Sequence, residues 1–330
     1  MSDGAYRGIL CIGDPHLCTW SPGYRKDDYP RATLTKLRWA LEHARDNQLL
    51  PVLLGDLFHV PRDNANWLIG QLMALLDGKV CAIIGNHDLS EDVLSDHDSL
   101  HVLLAAGRLR RLDSNPWIGT INGVPVALGG TNNGQKLPKT IDRAALGEPR
   151  WVFWIVHHDI QFPGYEDAGH LDCREVPGVD LMINGHIHRN LPDVTCGSTS
   201  WCNPGNISRV SRSDATRLHK PCVLRIDVSG DEYTRTRLDV PHRPFEEVFH
   251  PVTQAAGPQD GASSFITGLQ SMQKFKTSDG EGLCRLIEAN LPRLSNERVR
   301  QEIVNLLKEV LPNARTPEPR AGDRAVTETI

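Results

Sequence analysis

Five short clusters of polar residues combine the side chains that bind metal ions, and each follows an apolar run that predicts a buried strand. The clusters are Asp14 with His16, Asp56 with His59, Asn86-His87-Asp88, His157-His158 and His186 with His188. The strand ends of an α/β sheet face the crevice where such proteins bind ligands, so we expect the clusters to meet there. Mixed carboxylate, amide and imidazole ligands suit manganese, iron or zinc better than calcium.

These clusters supply enough ligands for two divalent metal ions that share one carboxylate. We assign one ion to Asp14, His16, Asp56 and His188, and the other to Asp56, Asn86, His186 and one of His157 and His158. Two neighbouring cations would hold the oxygens of a phosphate ester and activate a water molecule that attacks it. A single D-x-H or H-x-H triplet occurs by chance, but five clusters in order, each at a strand end, argue for a metal site.

The spacing of apolar residues predicts an α/β fold. Predicted strands alternate with predicted helices early in the chain, at residues 7–13, 31–48, 50–54, 66–77 and 80–84. Two predicted hairpins follow, at residues 117–128 and 221–240. Early alternation followed by hairpins indicates two mixed β-sheets packed face to face with helices outside, a four-layer αββα sandwich.

The composition is that of an ordinary globular protein, with 39% hydrophobic and 23% charged residues in a chain of 330. The net charge of -5 excludes a global basic surface for nucleic acid, so any such footprint would be local. The longest apolar runs are too short to cross a bilayer, and the first strand leaves no room for a signal peptide. Eight cysteines without a C-x-x-C pair indicate neither a disulfide framework nor a zinc knuckle, so we expect a cytoplasmic protein.

The character of the sequence changes after residue 240. We expect a catalytic domain at residues 1–240, a small helical cap or partner-binding region at 241–312 and a disordered tail at 313–330. The helical pattern at residues 297–311 has one apolar stripe, which would pack either on its own domain or in the groove of a partner.

The ordered motifs D-x-H, G-D, G-N-H-D, H and G-H-x-H resemble those of the calcineurin-like metallophosphoesterase superfamily over residues 1–240. The stretch Gly55-Asp56-Leu57-Phe58-His59 is more similar to SbcD/Mre-type DNA nucleases than to protein phosphatases, which carry an arginine near this aspartate and a G-N-H-E motif. The stretch from Asn203 to Arg209 also resembles the proline-glycine turn and arginine of the nuclease group.

The resemblance implies roles for residues beyond the metal ligands. His87 would be catalytic, placed over the scissile phosphate, with Asp88 orienting its ring. His59 and Arg209 would bind substrate, although a hydrogen bond that only stiffens the loop is an equal alternative for His59. Adjacent side chains of a strand point to opposite faces, and the family pattern favours His157 over its neighbour as the ligand.

The resemblance implies a manganese-dependent DNA endo- or exonuclease of repair, recombination or phage-type DNA processing. Its C-terminal helices would dock an SbcC-like ATPase, and a homodimer is a further option. One alternative is a phosphodiesterase or phosphatase for small nucleotides that uses the same metals. Another is a scaffold without catalysis, but the intact ligand set with His87 argues against it.

Overall fold

Two six-stranded β-sheets and one two-stranded pair carry the described part of the chain, which is residues 6–166 and 169–251 of a computed structural model. The strands are β1 (Gly8–Ile12), β2 (Leu49–Leu53), β3 (Val80–Ala82), β4 (Leu109–Arg111), β5 (Trp117–Ile121), β6 (Val124–Thr131), β7 (Trp151–Val156), β8 (Ile160–Gln161), β9 (Leu171–Asp172), β10 (Leu181–Asn184), β11 (Val194–Cys196), β12 (Thr199–Cys202), β13 (Cys222–Val228) and β14 (Tyr233–Asp239). The helices are α1 (Tyr29–Asp46), α2 (Asn66–Leu75), α3 (Ser99–Ala105), α4 (Asp214–Leu218) and α5 (Phe245–Val248), with 3₁₀ helices at Asn86–Asp88 and Ala144–Leu146.

The first sheet has the strand order β14-β13-β1-β2-β3-β4. Strands β1 to β4 are parallel, in agreement with the predicted alternation of strands and helices. A parallel pair needs a long crossover connection, and α1 and α2 supply the first two. The predicted C-terminal hairpin, β13 and β14, joins this sheet antiparallel to β1.

The second sheet has the strand order β11-β12-β10-β7-β6-β5. Its centre is parallel, from β12 through β10 and β7 to β6, and both edges are antiparallel. The hairpin of β5 and β6 turns at Asn122 and Gly123, which have φ values of 53° and 79°. Two successive residues with positive φ are what a tight hairpin turn requires, so the predicted Asn-Gly turn is confirmed.

The two sheets pack face to face, as predicted. Alternate residues of β1 face opposite sides, because side chains alternate along a strand. Ile9 and Cys11 belong to the core between the sheets, together with Phe153 and Ile155 of β7. The intervening residues of β1 instead pack among side chains of the helices α1, α2 and α3.

The outer face of the second sheet differs from the predicted helical layer. Met182 and Trp201 of this face pack among Phe162, Val176 and Leu191, which lie in connecting segments. Within the described ranges, this face is covered by those segments and the 3₁₀ helix at Ala144–Leu146, and not by long helices.

The segment after β14 continues to pack on the same unit up to residue 251. Phe245, Val248 and Phe249 form a small buried cluster, and the backbone N–H of His250 donates to the carbonyl of Tyr24 at 2.7 Å. The described segment up to residue 251 therefore belongs to the same compact unit as the two sheets. The rest of the predicted cap region (241–312), from residue 252 onward, and the predicted tail (313–330) lie outside the described residues.

The parallel strands determine where the five polar clusters lie. Clusters follow the C-terminal ends of β1, β2 and β3 in the first sheet and of β7 and β10 in the second. Because parallel strands end at the same edge, each sheet delivers its clusters together. Across the described ranges, the helices lack the length and apolar character needed to cross a bilayer.

Candidate metal centre

The structure brings the predicted ligands together in two groups that share Asp56. Group one contains Asp14, His16, Asp56 and His188, whose ligand atoms all lie within 4.8 Å of one another. The Nε2 atoms of His16 and His188 are 2.7 Å apart. The same atom of His16 lies 3.6 Å from Oδ2 of Asp56. Two imidazole nitrogens and two carboxylates that converge in this way form a pocket of electron-pair donors.

Group two contains Asp56, Asn86, His157 and His186. Oδ2 of Asp56 lies 3.3 Å from Nε2 of His157. Oδ1 of Asn86 lies 3.1 Å from the same nitrogen and 2.9 Å from Nδ1 of His186. Because Asp56 belongs to both groups, it occupies the position predicted for the shared carboxylate.

Four of the predicted ligands have a left-handed backbone conformation. The φ angles are 34° for Asp14, 47° for His16, 48° for Asp56 and 68° for His186. Residues other than glycine adopt positive φ at an energetic cost, and such residues concentrate at functional sites. The surrounding fold therefore holds these side chains in a strained arrangement that directs them into one place.

Two glycines allow the close approach of the ligand loops. Gly55 has a φ of 99°, and a methyl group on it would collide with the ring of His157. A methyl group on Gly85 would collide with the carboxylate and the backbone nitrogen of Asp56. Only glycine fits at these two positions, which explains why glycine precedes both Asp56 and Asn86 in the sequence.

The donor set fits divalent cations. Asp14 and His16 are almost fully buried, yet among the described residues Oδ1 of Asp14 and Nδ1 of His16 have no hydrogen-bond partner. A buried carboxylate oxygen without a partner is costly, and a cation beside it would remove that cost. Group one would hold one ion through oxygen and imidazole ligands. The second ion would be held in the same way by group two, which is Asp56, Asn86, His157 and His186.

The pKa values of the buried carboxylates are also consistent with a cation site. Burial raises the pKa of Asp14 to about 8, because a charge removed from water is unfavourable. Burial also acts to raise the pKa of Asp56, but the charge and hydrogen bond of His157 hold it well below its usual value. Burial lowers the pKa of His157, and the attraction of Asp56 outweighs this and raises it to about 10. Without a cation, a proton on His157 thus balances the negative charge of Asp56. A bound cation would balance the same charge.

Hydrogen bonds orient the imidazoles of group two. Nδ1–H of His157 donates to the carbonyl of Leu54 at 2.8 Å, which leaves Nε2 for a metal ion. Nε2–H of His186 donates to Asp159 at 2.8 Å, which leaves Nδ1. Carboxylate or carbonyl partners of this kind fix the tautomer of metal-binding histidines. Sequence reasoning missed Asp159, because an aspartate in a loop two residues after His157 carries no motif.

The structure separates His157 from its neighbour. His158 turns away from the two groups, and its Nε2–H donates to the carbonyl of Gln135 at 2.8 Å. Its backbone N–H donates to Asn184 at 3.1 Å. His157, as predicted from the family pattern, is the member of the pair that lies among the candidate ligands.

His87 and His59 lie beside group one. The centroid of the His87 ring is 4.7 Å from that of His16, and the rings of His87 and His59 are stacked at 5.4 Å. Nδ1–H of His87 donates to the backbone carbonyl of His59 at 2.7 Å. This bond leaves Nε2 of His87 available to a substrate oxygen. His59 thus positions the predicted catalytic ring through its backbone.

Asp88 does not orient the ring of His87, which corrects the predicted role. Its carboxylate is fully buried and accepts hydrogen bonds of 3.0 Å from the backbone N–H groups of Phe58 and Gly85. These bonds tie the loop after β2 to the loop after β3. Burial, and then repulsion from Asp56, raises the pKa of Asp88 to about 7.

Arg209 also differs from its predicted role in substrate binding. Its guanidinium is buried and donates to the carbonyl of His219 through Nε at 3.0 Å and through the terminal nitrogen Nη2 at 2.7 Å. The other terminal nitrogen donates to the carbonyl of Arg243 at 3.0 Å. These bonds occupy all three nitrogens, so Arg209 holds chain segments together. The proline-glycine motif predicts that an arginine is present, but it does not predict the direction of its side chain.

Three comparisons with known proteins bear on the family of this chain. The family model described as calcineurin-like phosphoesterase matches residues 8–190, which is more than half of the chain. The search of curated proteins found no match. The chain is similar to a hypothetical protein from Thermus thermophilus, with 13% identity and a TM-score of 0.41 over 71% of this chain and 100% of that one. It is also similar to a predicted phosphoesterase from Streptococcus pneumoniae, with 12% identity and a TM-score of 0.34 over 74% of this chain and 95% of that one.

At these scores neither structure bears on function. The family match is the finding that decides, and it spans all the ligand clusters from Asp14 to His188. The chain belongs to the calcineurin-like phosphoesterase family, a family of metal-dependent hydrolases.

Proposed function

We propose that this chain is a DNA nuclease of the SbcD/Mre type that hydrolyses phosphodiester bonds with two divalent cations, of which manganese is the expected one. The observation that carries the proposal is the sharing of Asp56 by two ligand groups, with His87 beside them. Bound cations would hold the phosphate oxygens and make water a better nucleophile. Asp14, His16, Asp56 and His188 would hold one ion, and Asp56 with Asn86, His157 and His186 the other.

His87 is the proposed acid and electrostatic catalyst. Its Nδ1–H is committed to the carbonyl of His59, so Nε2 is the atom that can carry a proton to the leaving oxygen. A proton on Nε2 would also stabilise the negative charge that develops on the phosphate. Because the ring is stacked on His59 and lies next to His16, it needs little reorganisation when the substrate binds.

A strand of DNA is the proposed substrate because the site opens to solvent on the side of group one. The side chain of His188 is 46% exposed, whereas those of Asp14, His16 and Asp56 are 1% exposed. A substrate could therefore approach the cations from solvent on this side. The motif Gly55-Asp56-Leu57-Phe58-His59, with His59 stacked on His87, adds support from resemblance.

The test compares substrates and variants in the presence of manganese. The wild type is expected to cleave single- or double-stranded DNA, and His87→Ala is expected to lose about 10²- to 10⁴-fold in rate while it still binds metal. His97→Ala, whose side chain is 75% exposed, serves as the matched control and is expected to behave as wild type. Turnover of a cyclic nucleotide or of p-nitrophenyl phosphate, with DNA left intact, would favour the small-nucleotide alternative.

The partners remain predictions. The region proposed to dock an SbcC-like ATPase, residues 241–312, lies largely outside the described residues, and a homodimer is the other proposed assembly. The cytoplasmic location also stays a prediction. Copurification of the full chain with a coexpressed ATPase subunit of this class is the direct test of the first proposal.

A further inference from the structure

A partly exposed indole lies at the edge of the candidate metal centre. Trp20 follows the first ligand pair in the chain, and 42% of its surface is exposed. Its ring centroid is 6.0 Å from that of His59, at an interplanar angle of 60°. His59 is in turn stacked on His87. Two ring contacts therefore connect this indole to the proposed catalytic histidine.

The loop that carries Trp20 is anchored to the loop that bears His59. The backbone N–H of Leu17 donates to the carbonyl of Leu57 at 2.9 Å, and the N–H of His59 donates to the carbonyl of Leu17 at 2.8 Å. The thiol of Cys18 donates to the carbonyl of Trp20 at 3.0 Å. These bonds hold the backbone next to Trp20 in a fixed position relative to the loop that bears His59. Because His59 contacts His87, they also fix its position relative to His87.

Exposure alone gives a tryptophan no function, because single exposed apolar residues are common. Trp67, in the first turn of α2, is 45% exposed and shows how ordinary this value is. What distinguishes Trp20 is its ring contact with His59 and the anchored loop beneath it.

We propose that Trp20 is the platform on which a base of the substrate strand stacks, next to the nucleotide whose phosphate is cleaved. The inference rests on the proposed function, since it requires a nucleic-acid strand at the site. Stacking on an aromatic ring tolerates every base and contributes substantially to the binding of single strands. A tryptophan suits this task because it offers a large flat face and loses little conformational freedom on binding.

The experiment tests the contact from both of its sides. A single-stranded oligonucleotide is compared with copies that carry an abasic sugar at one position at a time, and kcat/KM is measured with manganese. The wild type is expected to lose about tenfold when the abasic sugar falls at the position that Trp20 contacts. On the intact strand, kcat/KM of Trp20→Ala is expected to be about tenfold below that of the wild type. On the abasic strand, kcat/KM of this variant is expected to fall no further.

Two further variants separate stacking from other effects. Trp20→Phe keeps an aromatic face and is expected to recover most of the lost kcat/KM. Trp67→Ala is the matched control and is expected to respond to abasic sugars as the wild type does. Manganese affinity is expected to be the same in all of these proteins, because Trp20 is not among the candidate ligands.

The outcomes distinguish this inference from the proposed function. If DNA is cleaved but the losses from Trp20→Ala and from every abasic sugar add, the platform is overturned and the nuclease proposal stands. If the wild type hydrolyses bis-p-nitrophenyl phosphate but no DNA strand, the nuclease proposal fails and the platform fails with it.

Discussion

The two ligand groups achieve their geometry in different ways. In group two, His157 and His186 each use one ring nitrogen to donate to an oxygen of the protein, that of Leu54 or Asp159, so the other nitrogen is fixed for a cation. In group one, the Nε2 atoms of His16 and His188 face each other at 2.7 Å. Group two is therefore preorganised, whereas group one would be completed by its ion. We expect group two to bind the tighter of the two ions.

The surroundings of group one compensate in part. The hydroxyl of Ser208 donates to the carbonyl of Asp14 at 3.0 Å, and the N–H of Ile207 donates to the carbonyl of Gly13 at 3.1 Å. Lys36 donates to the carbonyl of Ile207 at 3.0 Å. Group one is therefore supported through the backbone of its loop, and group two through its imidazole rings.

The largest effect is expected from the residue that both groups share. Asp56→Asn keeps the shape of the side chain but removes its charge, so both ions should bind much more weakly and hydrolysis should fall by several orders of magnitude. Metal content after dialysis and the rate of phosphodiester hydrolysis are the measurements. Asp96→Asn, whose side chain is 80% exposed, is the control. One ion retained at wild-type affinity would show that Asp56 is not shared.

A selective effect on group two is expected from Asp159→Asn. The substitution weakens the hydrogen bond that orients His186, and the loss of such a partner lowers metal affinity by about 10- to 100-fold. Isothermal titration with manganese should show weaker binding of the tighter ion alone. An equal loss of affinity for both ions would show that Asp159 does not act on group two alone.

Because the guanidinium of Arg209 holds chain segments together, its removal should lower stability without weakening substrate binding. Arg209→Met leaves the carbonyls of His219 and Arg243 without their partner, which should lower the free energy of unfolding by about 1–3 kcal/mol. Denaturant unfolding measures this change, and KM for DNA should stay the same. A raised KM in a fully folded variant would restore the substrate-binding role.

A further effect concerns the support of group one and depends on pH. Burial, and then repulsion from Arg25 and Arg209, lowers the pKa of Lys36 from 10.5 to about 7. Between these values the unfolded chain binds the extra proton, so this group makes the folded state more stable as pH rises from 7 to 10.5. Lys36→Met should flatten the rise of unfolding free energy across that window. A variant curve parallel to that of the wild type would contradict this.

The sequence predicted the positions of the ligands better than the roles of their neighbours. Asp14, Asp56, Asn86 and His186 follow strands whose apolar patterns are unambiguous, and parallel strands must end at one edge. The contacts of Asp88 could not be predicted in the same way, because they depend on which backbone N–H groups the neighbouring loops present.

Long-range contacts from loops are the other part that the sequence concealed. The guanidinium of Arg209 reaches a carbonyl of a residue 34 positions away, and Asp159 meets His186 27 positions away. Neither contact follows from local spacing. Trp20 likewise gives no signal in the sequence, because its relation to His59 exists only after β1 and β2 have paired.

The most direct test of the binuclear centre is the number of manganese ions that the full chain binds. Isothermal titration of the metal-free protein should give two ions per chain, one of them clearly tighter. His188→Ala should abolish the weaker event and leave the tighter one, because His188 belongs to group one alone. A wild type that binds a single ion, or a variant that loses the tighter one, would contradict the account.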